Sequence, residues 1–278
     1  MQEILEVRLS TDEAARFIPS GVGEDLGGVL RLMLRLDDPL IDELRAQEQQ
    51  ARRQTGLPMI TSWVLHRRYT AKELLAAELL SLSVYPRFYP TGEDCGTVYD
   101  ETKGCMHCGV GASQVGPLRL DLKRIPRRDI TQTLGGEIVV SSRLAAQMDA
   151  AGIRGHELGP ILGCNGKQSE DWFQLLLPTG TVELSARTQM GRSFFAPEPD
   201  PARCPGHVLG SHVLSLIHVE RESEGEADWH CSRLALGERF GTGRPEPLLF
   251  ISPRLYRLFI EKKVKRFIVE VARLSERQ

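Results

Sequence analysis

Hydrophobic and polar positions along the chain repeat once over a long stretch. Ile138-Val-Val-Ser-Ser-Arg-Leu144 aligns with Leu249-Phe-Ile-Ser-Pro-Arg-Leu255, an offset of 252 − 141 = 111 residues. The alignment continues without a gap, setting Met148 against Phe259, Ile153 against Val264 and Leu158 against Val269. Each copy predicts an apolar strand, a serine N-cap, a helix of about three turns and a second strand. Pro253 falls at the first helical position of the second copy, and Gly152 closes the first helix. A strand–helix–strand unit buries one helix face only against a sheet, so the two copies (residues 137–162 and 248–273) are expected to pack together or on one sheet.

The pattern before the repeat is mixed. Asp38-Pro39 reads as an N-cap followed by proline at the first helical position, opening an amphipathic helix to about Gln54 that Gly56 ends. Ile60 to Leu65 alternates as a strand does. Thr70-Ala-Lys-Glu73 is a capping box, and Leu74, Leu75, Leu79 and Leu82 follow at helical spacing to about Ser83. Pro86 and Pro90 close this region, which places a boundary near residue 90: an N-terminal α+β region, 1–90, and a second region, 91–278. Leu118 to Leu122 and Trp172 to Leu177 read as further strands, and His212 and His218 fall on another around Val213 to Val219.

Composition narrows the classes. A net charge of -2 gives no global attraction to nucleic acid or membrane, and no apolar run approaches the roughly 20 residues of a membrane span. Charge is unevenly distributed. The first fifty residues hold eleven acidic side chains against five arginines, whereas Lys262, Lys263, Lys265 and Arg266 make the end basic. Six cysteines are too few for a disulfide scaffold at this length, and the start carries no basic and apolar leader pattern. A reducing cytoplasm, with cysteines free or on metal, is the expected setting.

The candidate chemistry is metal binding. Cys105-Met-His-Cys108-Gly109 sets two thiols three positions apart, with a glycine that lets the turn adopt positive φ and aim backbone N–H groups at sulfur. Cys204-Pro-Gly-His207 repeats the spacing with histidine in the last place. Cys105, Cys108, Cys204 and His207 thus make a Cys₃His set suited to structural Zn2+, with Cys95 and Cys231 as substitutes and Cys164 as a bystander. Knuckle one precedes the first copy and knuckle two the second, so one shared ion would cross-link them as a disulfide might. A redox role for the Cys-x-x-Cys pair calls for a helix directly after the first cysteine, and no helical pattern follows. No His-Glu-x-x-His, Gly-x-Ser-x-Gly or phosphate-loop pattern occurs, so no catalytic residue and no other cofactor is assigned.

The CxxCG knuckle preceded by Cys95-Gly-Thr-Val-Tyr-Asp100, the second CxxC-like element and the strand–Ser–x–Arg–Leu–helix ending together resemble a bacterial double-CxxCG motif family over residues 92–273. Gly206-His207 stands where that pattern has a second Cys-Gly. The resemblance implies a non-enzymatic protein-binding protein of the immunity type, which neutralises a cognate toxin by covering its active site. If that toxin is a basic nuclease, the acidic N-terminal region would face it, and reversing Glu43 and Glu48 would slow association. The alternative is a zinc-ribbon nucleic-acid-binding protein using Lys123 to Arg128 and Lys262 to Arg266 on phosphates. The fold expectation is α+β: two related strand–helix–strand units with an inserted zinc-knuckle site and a mixed N-terminal region.

Overall fold

A computed structural model describes residues 1–178, 180–191, 193–195, 204, 212–221, 226–237 and 239–276. Among these, the chain is a mixed α/β protein, mostly strands in several sheets, with five helices. It divides into two compact units, Met1–Thr70 with Met190–Pro199, and Ala71–Gln189 with Asp200–Gln278.

In the first unit, β1 (Gln2–Ser10), β2 (Glu24–Asp25), β3 (Val29–Arg35) and β4 (Ile60–Arg68) form an antiparallel sheet in the order β2-β3-β1-β4. A short helix, α1 (Thr11–Ala14), follows β1, and α2 (Leu40–Thr55) joins β3 to β4. Period-two alternation puts Leu5, Val7, Leu9, Leu32 and Leu34 into one core with Ile41 and Leu44 of α2 and with Phe195. The helix ends as the sequence predicts, with Gly56 at φ 74°, but starts one residue later, with Pro39 rather than Asp38 at the N-cap; Asp38 Oδ1 still accepts from Leu40 N–H at 2.9 Å. Glu48 does not face a partner. It is 1% exposed, accepts from the N–H groups of Met59 and Ile60 at 2.8 and 2.9 Å, and pairs with Arg52. Its carboxylate satisfies the backbone entering β4, so reversing its charge would disrupt this unit rather than a binding surface; Glu43 is exposed.

The second unit begins with α3 (Ala71–Leu75) and β5 (Leu79–Val84), then β6 (Val98–Asp100), β7 (Ser113–Val115), β8 (Leu118–Leu120), β9 (Ile130–Gln132) and β10 (Ile138–Ser141). After α4 (Ser142–Ala150) come β11 (Glu157–Gly163) and β12 (Gln168–Leu176). Two short strands, β13 (Met190–Gly191) in the first unit and β14 (His212–Val213) in the second, precede β15 (Ile217–Glu220), β16 (Trp229–Leu236) and β17 (Glu246–Ile251). Helix α5 (Pro253–Glu261) and β18 (Phe267–Ser275) end the fold. The expected helix over residues 70–83 stops at Leu75. The Leu79–Val84 segment is a strand with both faces covered, and burial on both faces overrides its helix-like leucine spacing. Consequently the boundary near residue 90 is not where contacts divide the chain: β5 is the middle strand of a sheet in the second unit.

Two five-stranded sheets dominate this unit, ordered β8-β11-β12-β10-β9 and β15-β18-β5-β17-β16. They correspond strand for strand. Both outer strands β8 and β15 run parallel to their neighbour, and the other pairings are antiparallel. Registers match too: Val140 faces Phe173 as Ile251 faces Leu80, and Pro160 faces Phe173 as Val271 faces Leu80. The far edge of each sheet is covered by the segment following the other sheet's central strand. Phe88 N–H bonds Gln132 O and Phe88 O accepts from Leu134 N–H; Val182 N–H bonds Cys231 O and Val182 O accepts from Arg233 N–H. Burying these edges removes rows of unpaired backbone groups.

The helices between the sheets share one core, in which Leu144, Met148 and Ile153 meet Leu255, Phe259 and Val264. Their N-termini are built alike. Ser141 Oγ accepts from Leu144 N–H and donates to Asp129; Ser252 Oγ accepts from Leu255 N–H and donates to Asp228. Arg143 and Arg254 pair with those same aspartates, and each then crosses to the other helix's C-terminal carbonyls, Lys262 O for Arg143 and Ala151 and Gly152 O for Arg254. A cation at a helix C-terminus is favourable, so this reciprocal exchange locks the copies to each other.

Candidate metal centre

The segment between Phe88 and β8 carries knuckle one. Cys105 and Cys108 sit on a tight turn in which Cys105 N–H bonds Val110 O at 2.8 Å and Gly109 N–H bonds Cys105 O at 2.7 Å. Gly109 has φ 80°, which an L side chain rarely adopts, so the glycine after the second cysteine is required by the turn. Cys204 meets this turn from 99 positions away in the chain. Its sulfur is 3.5 Å from that of Cys105, and all three sulfurs lie within 4.8 Å of one another. A tetrahedral zinc with bonds of about 2.3 Å separates its sulfurs by about 3.8 Å, so the spacing suits one ion.

Electrostatics also suit a cation. The backbone N–H groups of Cys108 and His107 point at the Cys105 sulfur and hold its pKa down to about 6. Burial pushes the Cys108 thiol up to about 11, helped by its thiol neighbours. One sulfur is thus ready to be a thiolate while the next resists a second negative charge beside it. A divalent cation between them removes that conflict and displaces the remaining protons.

The knuckle is buttressed by residues that no local pattern in the sequence marks. Arg244 lies 4.4 Å above the Tyr99 ring and bonds Glu93 at 3.0 Å and Glu101 at 2.7 Å, while Arg239 also pairs with Glu101 at 2.8 Å. A side chain at Gly109 would come within 3.4 Å of both arginines. These arginines reach the knuckle from the loop joining β16 to β17, more than 130 positions away in the chain, so only the tertiary fold brings them together.

Of the sequence-derived ligands, Cys105, Cys108 and Cys204 gather; His207 lies outside the described residues. Cys95 and Cys231, the substitutes, are not in the group: Cys231 is buried on β16 and Cys95 sits on a 3-10 turn beside β8. His218 bonds Ser275 at 3.0 Å through Nδ1. His212 and His218 lie on separate short strands, β14 and β15. No helix among the described residues is long and apolar enough to cross a membrane. No protein-family model and no curated protein matches this chain.

Proposed function

We propose that the chain is a zinc-stabilised, internally duplicated protein-binding protein of the immunity type, non-enzymatic and acting on a cognate toxin. The observation that carries the zinc site is the convergence of three thiols from two distant points of the chain. Duplication supports His207 as the fourth ligand. From the knuckles to the β9 and β16 strands the two copies keep an offset of 99: Cys105 and Cys204 each stand 13 residues before their strand, at Leu118 and Ile217, and Asp129 matches Asp228. The same offset sets His207 against Cys108, completing Cys₃His with two ligands from each copy. The family resemblance, with its paired knuckles, agrees with this arrangement.

Binding rather than catalysis is supported by how the second unit presents its surface. A cavity of about 1030 Å³ is rimmed by Tyr85, Tyr89, Leu134, Phe240 and Ile268, each more than half exposed. Among its polar groups, Arg87 holds Glu246 through two bonds of 2.7 and 2.9 Å, and Gln132 bonds the same carboxylate. Exposed aromatic anchors around compensated charge are the usual make-up of an interface centre. Phe240→Asp should leave the melting temperature unchanged and abolish rescue of growth in cells expressing the cognate toxin. Full rescue by the variant would remove this surface from the function, and retention of the chain on nucleic acid with steep salt dependence would favour the alternative reading.

A further inference from the structure

Strand β8 is flanked at its Leu120 end by two cysteines outside the metal cluster. On one side, Thr97 fastens the 3-10 turn Glu93–Cys95 to β8: its Oγ accepts from Arg119 N–H at 2.8 Å and donates to Arg119 O. This turn places Cys95 beside Asp121 at the end of β8. On the other side, β11 runs parallel to β8 with Gly163 opposite Leu120, so Cys164 follows directly at the strand end, its sulfur 3.8 Å from Leu120 O. The two cysteines therefore flank the same end of β8, near enough for the Cys164 thiol to act on that of Cys95. Cys164 is exposed and Cys95 is half-buried.

The second copy provides an internal control. There Thr188 makes the same pair of bonds to the N–H and C=O of His218. The residue two before it is Ala186, and the residue matching Cys164 by the offset of 111 is Ser275. The copies thus share the scaffold, and only the first carries two thiols on it.

We propose that Cys95 and Cys164 are a redox-modification site, which a small-molecule disulfide of the glutathione type converts to an intramolecular disulfide. The chemistry balances in two exchanges. The exposed Cys164 thiolate attacks glutathione disulfide, forming a mixed disulfide and releasing one glutathione. The Cys95 thiolate then attacks the Cys164 sulfur, forming the internal bond and releasing the second glutathione. Two protein thiols lose two protons and two electrons, and glutathione disulfide is reduced to two thiols. The bond ties the knuckle-bearing segment to the β11–β12 hairpin without using a metal ligand. Burial holds the Cys95 thiol above its ordinary value, which suits it to the second, resolving step rather than the first.

The test is to incubate the full chain with glutathione disulfide, quench with acid and map peptides by mass spectrometry without reduction. The expected result is a Cys95–Cys164 cross-linked peptide in the wild type, stable glutathionylation of Cys164 in Cys95→Ser, and neither product in Cys164→Ser. Accumulation of the mixed disulfide in the wild type without cross-linking, cross-links to Cys105, Cys108 or Cys204 instead, or no reaction at either cysteine would each overturn the proposal.

Discussion

The two halves of the second unit share a topology and differ in what is attached to it. In both, five strands take the same order, a serine caps the helix, an aspartate holds the serine, and an arginine two positions later crosses to the opposite helix. Even the small cores outside the sheets match: Phe88, Leu118, Leu120, Val139 and Ile161 in one, Val182, Ile217, Val219, Phe250 and Ala272 in the other. The differences lie elsewhere. The first half takes its central strand from its own end, whereas the second takes β5 from far upstream. The β16–β17 hairpin, strands included, is longer by 111 − 99 = 12 residues than its β9–β10 counterpart, and its connection carries Arg239, Phe240 and Arg244. Positions that pack the sheets and helices are kept, while positions that brace the knuckle, rim the groove or bear extra thiols are specific to one half.

The sharpest way to break the equivalence is at the aspartates. Asp228 is 6% exposed and accepts from Ser252 Oγ, Arg154 N–H and Arg254, whereas Asp129 is 18% exposed. Removing a buried acceptor strands its donors, so Asp228→Ala should cost about 3 kcal/mol and the more hydrated Asp129→Ala about 1–2 kcal/mol. Urea unfolding measures both, and equal costs would mean that the two nodes are not ranked by burial. A smaller effect is expected at the crossing arginines. Arg143 and Arg254 are about half exposed, so Arg143→Met and Arg254→Met should each cost up to about 1 kcal/mol. They serve opposite helices, and their costs should add within about 0.5 kcal/mol; a double variant far from the sum would show that the exchange acts as one unit. The smallest stability change belongs to Phe240→Asp, where the side chain is 89% exposed and only binding should respond.

Part of this architecture is legible from the sequence. The apolar run, Ser-x-Arg-Leu and following helix stand out because cap, strand and helix signals are all local, and the CxxCG turn is likewise declared by its own residues. The full duplication is harder to see. The longer β16–β17 connection shifts the offset from 99 to 111, and the β5 segment, which completes the second sheet, precedes the first by dozens of residues. A central strand buried on both faces also loses the alternation that would identify it, which is why Leu79 and Leu82 read as helical. Glu48 misled for a related reason: acidity in a charged helix predicts exposure, but the backbone of β4 needs an acceptor and takes this one. The Arg244–Tyr99 brace has no local signal, because its partners meet only across the finished fold.

On the proposed reading, the knuckles of the two halves close on one zinc ion. X-ray absorption at the zinc edge, on protein purified without a histidine tag, tests it most directly. One zinc per chain is expected, with three sulfur ligands at about 2.3 Å and one nitrogen, the nitrogen replaced by sulfur in His207→Cys and the metal lost in Cys105→Ser with a large fall in melting temperature. A metal-free protein, or zinc bound through two sulfurs with Cys204 uninvolved, would contradict it.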